Sequence, residues 1–310
     1  MSSFRVLRSF AIPLALVVFT VACGSTTSST PKNTNSFPLT LTSSKGPVTL
    51  SHQPNRIVSL SPTGTEDLYA VGAGKQVVAV DSYSTYPAEA PRTSLSGFTP
   101  NIEAIAGYQP DLVLAADDTG NLFEQLSKLQ IPVLVEPAAA DLNGVYAQIN
   151  QIAQATGHSP QAASVVSGIQ RQVKTILQSV HAPAKPLKVY HELDQTYYSA
   201  TSGTFIGQMY KLLGLQNIAD AAPGGNDYPQ LSAEYIISSD PDLIVLADTV
   251  CCGQSMATVA ARPGWSAIRA VRTGAVVPVE DAIASQWGPR IVLFLQAIAR
   301  ALKALEGSTA

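Results

Sequence analysis

Residues 101–114, Asn-Ile-Glu-Ala-Ile-Ala-Gly-Tyr-Gln-Pro-Asp-Leu-Val-Leu, have a second copy at residues 232–245, Ser-Ala-Glu-Tyr-Ile-Ile-Ser-Ser-Asp-Pro-Asp-Leu-Ile-Val. The copies align without a gap at a constant offset of 131 residues, as from position 103 to position 234. Five positions are identical: Glu103 and Glu234, Ile105 and Ile236, Pro110 and Pro241, Asp111 and Asp242, and Leu112 and Leu243. An initial Asn or Ser is typical of a helix N-cap, and Pro ends a helix before the apolar run. Each copy therefore predicts a short helix followed by a buried strand.

Strand and helix patterns alternate around both copies, which is typical of an α/β fold with parallel sheets. The first strand pattern, residues 56–60, precedes Thr63 and Glu66, which have capping-box spacing. Copies this far apart predict two similar lobes with a cleft between them, rather than a solenoid. Residues 142–184 show helical periodicity and contain no Gly/Ser linker, which predicts a stiff bridge between the lobes. Ser159 is the predicted N-cap of the longest helix in this bridge. The predicted fold is α/β: two Rossmann-like lobes, residues 47–141 and 185–310, joined through residues 142–184 by one long rigid helix.

The first 46 residues predict an export signal and a tether. Arg5 and Arg8 precede an apolar run that is short for a membrane span, so residues 1–22 predict a signal peptide. Cys23 lies where cleavage belongs and resembles the lipidated cysteine of a bacterial lipoprotein, although Thr20 and Val21 depart from that pattern. An ordinary secretory signal with a chance cysteine is the alternative. Residues 23–46, rich in Ser and Thr, predict a lipid-anchored tether that holds an extracytoplasmic body at the membrane.

Composition narrows the classes of partner. Hydrophobic residues make up 46% of the 310 residues and charged residues 13%, which suits a packed globular protein. The net charge of −3 and the lack of a basic stripe give no reason to expect nucleic acid. The four histidines are scattered without metal-ligand spacing, so neither a metal site nor a cofactor is predicted. We expect a monomer.

Aromatic residues gather where a ligand would bind. Ligands of open α/β sheets bind outside the carboxyl ends of the strands. The residues predicted at those ends, or just before the two repeated helices, are Tyr83, Tyr86, Phe98, Asp117, Tyr197, Tyr198, Tyr228, Cys251 and Cys252. Any one of these aromatics alone is better explained as a half-buried loop residue, but their concentration predicts a cleft for a large, flat or amphipathic ligand of low charge.

The chain resembles a known family over about residues 48–306. The segments that carry the resemblance are residues 56–66, 81–87, both repeat copies, 228–232 and 288–290 (Gly-Pro-Arg). In this order they resemble the cobalamin-type substrate-binding proteins of ABC importers, of the helix-bridged (type III) periplasmic-binding family, which also takes haem and ferric siderophores. The resemblance implies capture of a ligand in the cleft and its delivery to an ABC permease with a cytoplasmic ATPase.

The resemblance also implies individual roles. The family's aromatic cleft positions correspond to Tyr86 (with Tyr83 beside it), Phe98, Tyr198 and Tyr228. A family tryptophan near Asp117 has no aromatic counterpart, and Trp287 is out of register with another, so the ligand's identity is left open. Cobalamin is the first expectation. Haem or an anionic siderophore is the alternative, but either would need two or three arginines, and Arg290 is the only one near a predicted cleft loop. Trp287 and Arg290 are themselves predicted to contact the ligand.

Glu103 and Glu234 match the glutamates, one in each lobe, with which the family docks on permease arginines. The alternative is that each acid only stabilises the first turn of its helix, which needs no partner.

The adjacent cysteines Cys251 and Cys252 leave three possibilities open. They could form a vicinal disulfide that stiffens a cleft loop, remain free thiols, or touch the ligand. We favour the disulfide.

Two other functions compete with transport. An enzyme would need a recognisable motif, but Gly72-Ala-Gly74-Lys75 has Tyr69 in place of the first glycine of a phosphate loop and follows a helix instead of opening one. No Gly-x-Ser-x-Gly elbow occurs. We therefore expect a binding protein without enzymatic activity. A ligand sensor that docks on a receptor is the second alternative, which the sequence leaves open.

Overall fold

Two four-stranded parallel sheets with the same strand order form the centre of the protein. The computed structural model describes Met1 and residues 36–180, 185–222 and 224–308. Its strands are β1 (Leu39–Ser43), β2 (Gly46–Leu50), β3 (Ile57–Leu60), β4 (Val77–Val80), β5 (Leu112–Ala115), β6 (Val133–Val135), β7 (Lys188–Glu192), β8 (Gln216–Asn217), β9 (Leu243–Leu246) and β10 (Val276–Pro278). The sheet orders are β4-β3-β5-β6 and β8-β7-β9-β10, and every neighbouring pair is parallel. Both lobes therefore have one topology, as the repeat predicts.

Helices cover the sheets because the central strands are buried on both faces. Strands β3, β5 and β9 are buried along their whole length, as expected of parallel strands. The helices are α1 (Pro62–Ala70), α2 (Ile102–Gly107), α3 (Leu122–Lys128), α4 (Leu142–Thr156), α5 (Ser159–Gln178), α6 (Phe205–Leu212), α7 (Ala233–Ser239), α8 (Met256–Ala260), α9 (Arg269–Arg272), α10 (Asp281–Ser285) and α11 (Ile291–Ser308). The α/β fold is confirmed. Both lobes belong to one compact unit, residues 33–310.

The repeated sequence forms the same structure twice. Asn101 caps α2 by accepting the amide of Ala104 at 3.0 Å, and Ser232 caps α7 by accepting that of Tyr235 at 3.1 Å. After the helices, the equivalent residues Gln109 and Asp240 both have positive φ, at 50° and 46°. These matching details confirm the predicted helix-to-strand connection in each lobe.

The repeated Pro-Asp also joins two strands of each sheet. Asp111 accepts the amide of Arg56 at 2.6 Å through its carboxylate, and its own amide donates to the Arg56 carbonyl at 2.9 Å. Asp242 makes the same pair of bonds with Lys188, both at 2.9 Å. Arg56 directly precedes β3 and Lys188 begins β7. Asp111 therefore sets the register between β3 and β5, and Asp242 sets the register between β7 and β9.

Helices α4 and α5 form the bridge. They meet at Gly157, whose φ of 80° is the left-handed conformation typical of a helix end. The 20 residues of α5 span roughly 30 Å at ~1.5 Å per residue. His158 occupies the N-cap position without a capping bond from its side chain, so the prediction that Ser159 is the cap is wrong by one residue, with Pro160 still in the first turn. Helix α5 packs against both α4 and α11.

One prediction about the N-terminal part, the length of the tether, needs correction. The others lie outside the described residues. Strands β1 and β2 form an antiparallel hairpin, in which Leu41 is buried and Ser43 accepts the amide of Val135 at 3.0 Å. Residues 39–46 are therefore folded, and the predicted tether, residues 23–46, is too long at its C-terminal end. The predicted signal peptide and Cys23 lie outside the described residues. Within the described part of the chain, no helix has the length and hydropathy that crossing a membrane requires.

The strand-joining aspartates give a stability prediction. Asp242→Ala leaves the part-buried amide of Lys188 without its side-chain acceptor, and the loss of such a hydrogen bond costs about 0.5–1.5 kcal/mol. We expect this loss in the free energy of unfolding, measured by urea denaturation, and a smaller loss for Asp111→Ala, whose bond to Arg56 is exposed. The control is Glu124→Ala, which removes an exposed carboxylate paired only with Lys128 on α3. Losses for both aspartates no larger than the control's would contradict the strand-joining role.

Candidate functional site

The two lobes are in contact near the carboxyl ends of their sheets. Helix α1 starts at the carboxyl end of β3, and its Glu66 accepts hydrogen bonds from Arg290, at 2.6 Å from the terminal nitrogen Nη2. Arg290 belongs to the other lobe, just after α10, which follows the carboxyl end of β10. Trp287 also reaches across, donating from Nε1 to Oε1 of Gln148 on α4 at 2.9 Å. These contacts hold the two carboxyl edges against each other at their base.

All exposed aromatic side chains of the described residues lie at these carboxyl edges. They are Tyr83, Tyr86, Phe98, Tyr198 and Tyr228, with exposed fractions from 40% to 69%. Each of the five was predicted as a cleft residue. We call them the rim aromatics. Exposed rings cost free energy in water, so a cluster of them on facing edges indicates a surface that another apolar body covers.

Local structure holds the rim aromatics of the N-terminal lobe at the edge. Gly97 packs so closely on the carbonyl of Leu60, the last residue of β3, that a Cβ would not fit. This contact holds the following residue, Phe98, at the carboxyl end of β3. Its ring meets that of Tyr83 edge to face, with centroids 5.2 Å apart.

In the C-terminal lobe the rim aromatics lie on two paired segments. Tyr198 forms an antiparallel bridge with Gln230, and the amide of Ser199 donates to the carbonyl of Pro229 at 2.9 Å. Tyr228 is the residue before Pro229, so pairing of the two segments brings Tyr198 and Tyr228 to the same part of the edge.

Tyr197 and Trp287 differ from the other predicted cleft residues, because both pack within the protein. The Tyr197 ring lies 5.6 Å from the ring of Trp265, centroid to centroid, and 5.4 Å from the guanidinium of Arg262. Trp287 is half-buried and bonded to Gln148. Tyr197 and Tyr198 are neighbours in a loop without periodicity. The sequence therefore cannot predict which of the two rings points inward.

Arg290, predicted to contact ligand, is already engaged. Its guanidinium is bonded to Glu66 and lies 4.1 Å from the centroid of the Tyr86 ring, within the range of a cation–π contact. The capping box predicted for Thr63 and Glu66 is wrong: Ser61 caps α1 instead, accepting the amide of Gly64 at 3.0 Å. The Glu66 carboxylate binds the guanidinium of Arg290 instead of a backbone amide, because a hydrogen bond between two charged groups is stronger than one to a neutral amide.

A second buried ion pair, which the sequence did not reveal, lies in the C-terminal lobe. Arg262 donates to both carboxylate oxygens of Glu192 at 2.6 Å, and Glu192 is fully buried at the end of β7. The guanidinium lies 4.5 Å from the Trp265 ring centroid. The partners are separated by 70 residues, so no local pattern could link them.

Asp117 and Asp118 follow β5, at the carboxyl edge of the sheet in the N-terminal lobe. Asp117 is exposed, and its carboxylate accepts the amide of Asp118 at 2.7 Å. Asp118 forms an ion pair with Lys45 from the β1–β2 turn at 3.1 Å.

Glu103 and Glu234 are both exposed in the first turns of α2 and α7. Helices that run antiparallel to the strands begin at the strands' carboxyl edge, so both glutamates lie on the side of the rim aromatics. No ion pair occupies either carboxylate within the described ranges.

The loop after β9 contains a disulfide between Cys251 and Cys252. The carboxylate of Asp281, at the start of α10, accepts the amides of Val250 at 2.9 Å and Cys251 at 2.8 Å. This loop is therefore fixed at the same edge as Tyr198. Among the described residues, no group of three or more His, Cys, Asp and Glu side chains has the arrangement of a metal site.

Comparison with known proteins identifies the family. A family model described as periplasmic binding protein matches residues 57–282. The ABC transporter substrate-binding lipoprotein YvrC of Bacillus subtilis (strain 168) is 30% identical over 94% of this chain and 96% of its own length. The chain belongs to the periplasmic binding protein family.

Two further relatives of this binding protein differ in ligand. The cobalamin-binding protein of Halobacterium salinarum is 34% identical over 88% of this chain and 76% of its own length. The crystal structure of the periplasmic haem-binding protein HutB of Vibrio cholerae has 28% identity and a TM-score of 0.69, and the match covers 80% of this chain and 98% of that one.

The binding protein carries buried acids with raised pKa values in both lobes. Burial raises the pKa of Glu136, which follows β6, to about 8 from an ordinary value of 4.5, despite a hydrogen bond from Gln151. Burial, with the negative charges of Glu136 and Glu66, raises the pKa of Asp67 well above its ordinary value. In the other lobe, burial and the neighbouring Glu192 raise the pKa of Asp248 to about 7. Folding therefore favours protonation of these acids.

Glu136 gives the binding protein a testable pH dependence. Because its pKa is raised in the folded state, its contribution to stability is complete below its ordinary pKa of 4.5 and is lost as the pH rises to about 8. Glu136→Gln keeps an acceptor for Gln151 without the charge. We expect this variant to be more stable than the wild type at about pH 8, and to lose less stability between about pH 5 and about pH 8.

Urea denaturation at both pH values measures this difference, with Glu124→Gln as a matched change of an exposed carboxylate. If Glu136→Gln and the wild type lose equal stability over this range, the burial of an uncompensated charge at position 136 is excluded.

Proposed function

We propose that this chain is the extracytoplasmic substrate-binding component of an ABC importer, and that it binds cobalamin or a related corrinoid between the carboxyl edges of its lobes. The observation that carries the proposal is the set of rim aromatics, which comprises every exposed aromatic side chain of the described residues. The relatives' names support the same transport role and a corrinoid ligand.

The rim aromatics favour a large ligand with extended faces. Three of them lie on the N-terminal lobe and two on the C-terminal lobe, so a ligand that covers them all must reach both edges. Aromatic rings offer broad apolar contact, and a tyrosine hydroxyl adds a hydrogen bond at the periphery. A corrinoid has a wide ring with amide groups around it, which matches this combination of contacts.

The charges at the edges favour a corrinoid over haem. Three cations near the edges already have an acidic partner: Lys45 with Asp118, Arg262 with Glu192, and Arg290 with Glu66. Arg92, beside Val80 at the end of β4, is exposed and has no such partner within the described ranges. Haem carries two propionates, so at least one of them would have to compete with an acidic partner for a cation. A ligand of low net charge avoids this competition.

Haem remains the second candidate because the haem-binding protein HutB has a structure that matches over 80% of this chain. The rim tyrosines favour it as well, since a tyrosine oxygen can ligate haem iron.

We also propose that Glu103 and Glu234 dock the loaded protein on the permease, with Cys23 as the lipid-anchored residue. One exposed glutamate in each lobe, on the side that carries the ligand, would let a single partner contact both lobes. Surface charge pairs of this kind contribute to orientation and rate more than to affinity.

Titration of the purified protein with cyanocobalamin, haemin and a siderophore panel, followed by ligand absorbance and tryptophan fluorescence, tests the ligand. We expect cyanocobalamin to bind. Phe98→Ala or Tyr228→Ala should weaken binding about tenfold, the loss of about 1.4 kcal/mol of contact. Leu212→Ala is the control, because Leu212 is similarly exposed but lies on α6. Tight binding of haemin without binding of cyanocobalamin would replace the corrinoid with haem.

Reconstituted transport tests the docking role. The double variant Glu103→Gln, Glu234→Gln should keep its ligand affinity but lose most of the uptake that the wild type supports with its permease. Glu124→Gln, an exposed change on α3, serves as the control. Undiminished uptake by the double variant would exclude a role of these glutamates in docking. It would favour a sensor or another contact surface.

A further inference from the structure

The loop of residues 249–253, Thr-Val-Cys-Cys-Gly, lies at a place in the C-terminal sheet where ligands are expected. In the order β8-β7-β9-β10, the chain direction across the sheet reverses between β7 and β9. Crevices in open α/β sheets form at such a switch point, outside the carboxyl ends of the strands. The loop after β7 carries Tyr198, and residues 249–253 follow β9. The two loops therefore flank this switch point.

Hydrogen bonds fix both ends of the loop. On one side, Asp281 accepts the amides of Val250 and Cys251, and Thr249 donates from its hydroxyl to the Val279 carbonyl at 2.9 Å. On the other side, the amide of Gln254 donates to the carbonyl of Asp248 at 3.2 Å.

Gln254 is in turn fixed by the buried ion pair beneath it. Its Oε1 accepts from Nη2 of Arg262 at 2.6 Å, and Arg262 is held by Glu192. The loop thus rests on a charged network whose members are already paired with one another.

The loop directs apolar groups outward, although it is fixed by polar contacts. Val250 is 71% exposed, the highest fraction of any described large hydrophobic residue other than Met1, and Cys251 is exposed as well. No residue of the loop carries a charge. The disulfide closes a small ring through the intervening peptide, which restricts the backbone between Cys251 and Cys252. An apolar surface that is exposed and held rigid indicates contact with a ligand more than a role in packing.

We propose that Val250 and the Cys251–Cys252 disulfide form a preorganised apolar contact for the ring system bound in the cleft, and that reduction of this disulfide weakens ligand binding. The inference rests on the proposed function, since it assigns a further contact in the same site. Preorganisation lowers the entropy lost on binding, so a loosened loop should bind the same ligand less tightly.

Reduction by a dithiol is a balanced exchange. One thiolate of the dithiol attacks a sulfur of the Cys251–Cys252 bond, which forms a mixed disulfide and releases the other cysteine as a thiolate. The second thiolate of the reagent then displaces the remaining cysteine. Two electrons pass to the protein, both cysteines take up protons to become thiols, and the reagent becomes a cyclic disulfide.

Cyanocobalamin titration of three proteins tests the inference: the double variant Cys251→Ser, Cys252→Ser, the single variant Val250→Ala, and the wild type reduced with dithiothreitol, which is removed anaerobically before the titration. A thiol assay confirms reduction. We expect affinity to fall about fivefold or more in each, a change of about 1 kcal/mol, and to return when the reduced wild type is reoxidised. Leu212→Ala is the exposed apolar control.

The outcomes separate the two proposals. If the oxidised wild type binds cyanocobalamin but Val250→Ala and the reduced wild type bind equally well, the loop contact is wrong and the proposed function stands. If the oxidised wild type binds no ligand of the panel, the proposed function fails and the loop contact fails with it. Val250→Ala and the reduced wild type decide the matter even if the double serine variant does not fold.

Discussion

The ion pair between Glu66 and Arg290 is the contact on which the geometry of the site depends. Glu66 is buried on the N-terminal lobe and Arg290 comes from the C-terminal lobe, so the pair joins the two lobes. Removing one partner of a buried pair typically costs about 3–5 kcal/mol, because a charge is left buried without compensation. The same guanidinium supports the Tyr86 ring. A single side chain therefore fixes both the separation of the lobes and one aromatic of the rim.

The C-terminal lobe repeats this arrangement with Arg262 and Glu192. In both pairs an arginine of the C-terminal lobe is neutralised by a buried acid and lies against an aromatic ring. Arg262 and Arg290 thus present no free positive charge at the edges. This agrees with the proposed class of ligand, which would bind through faces and hydrogen bonds rather than through carboxylates.

The fold could be predicted because its signals are local and occur twice. The repeat at residues 101–114 and 232–245 predicts both helix-to-strand connections, and the two sheets have the same strand order. The exposed aromatics were predictable from their places after strands or before helices. The pairs Glu66–Arg290 and Glu192–Arg262 were not, because their partners are 224 and 70 residues apart. The inward packing of Tyr197 on Trp265 and Arg262, and of Trp287 on Gln148, also depends on residues distant in sequence, so the sequence could not separate these two rings from the rim.

The rigid frame also explains how one fold can serve different ligands. The strand-joining aspartates Asp111 and Asp242, the bridge of α4 and α5, and the buried ion pairs all lie below the carboxyl edges or away from them. The residues that would touch a ligand lie on loop tips above this frame. Substitution at the tips changes which ligand fits without disturbing the packing of the sheets, because loops tolerate change better than the elements they connect. Relatives with this frame can therefore be named for different ligands. The identity of the ligand must be inferred from the rim residues rather than from the fold.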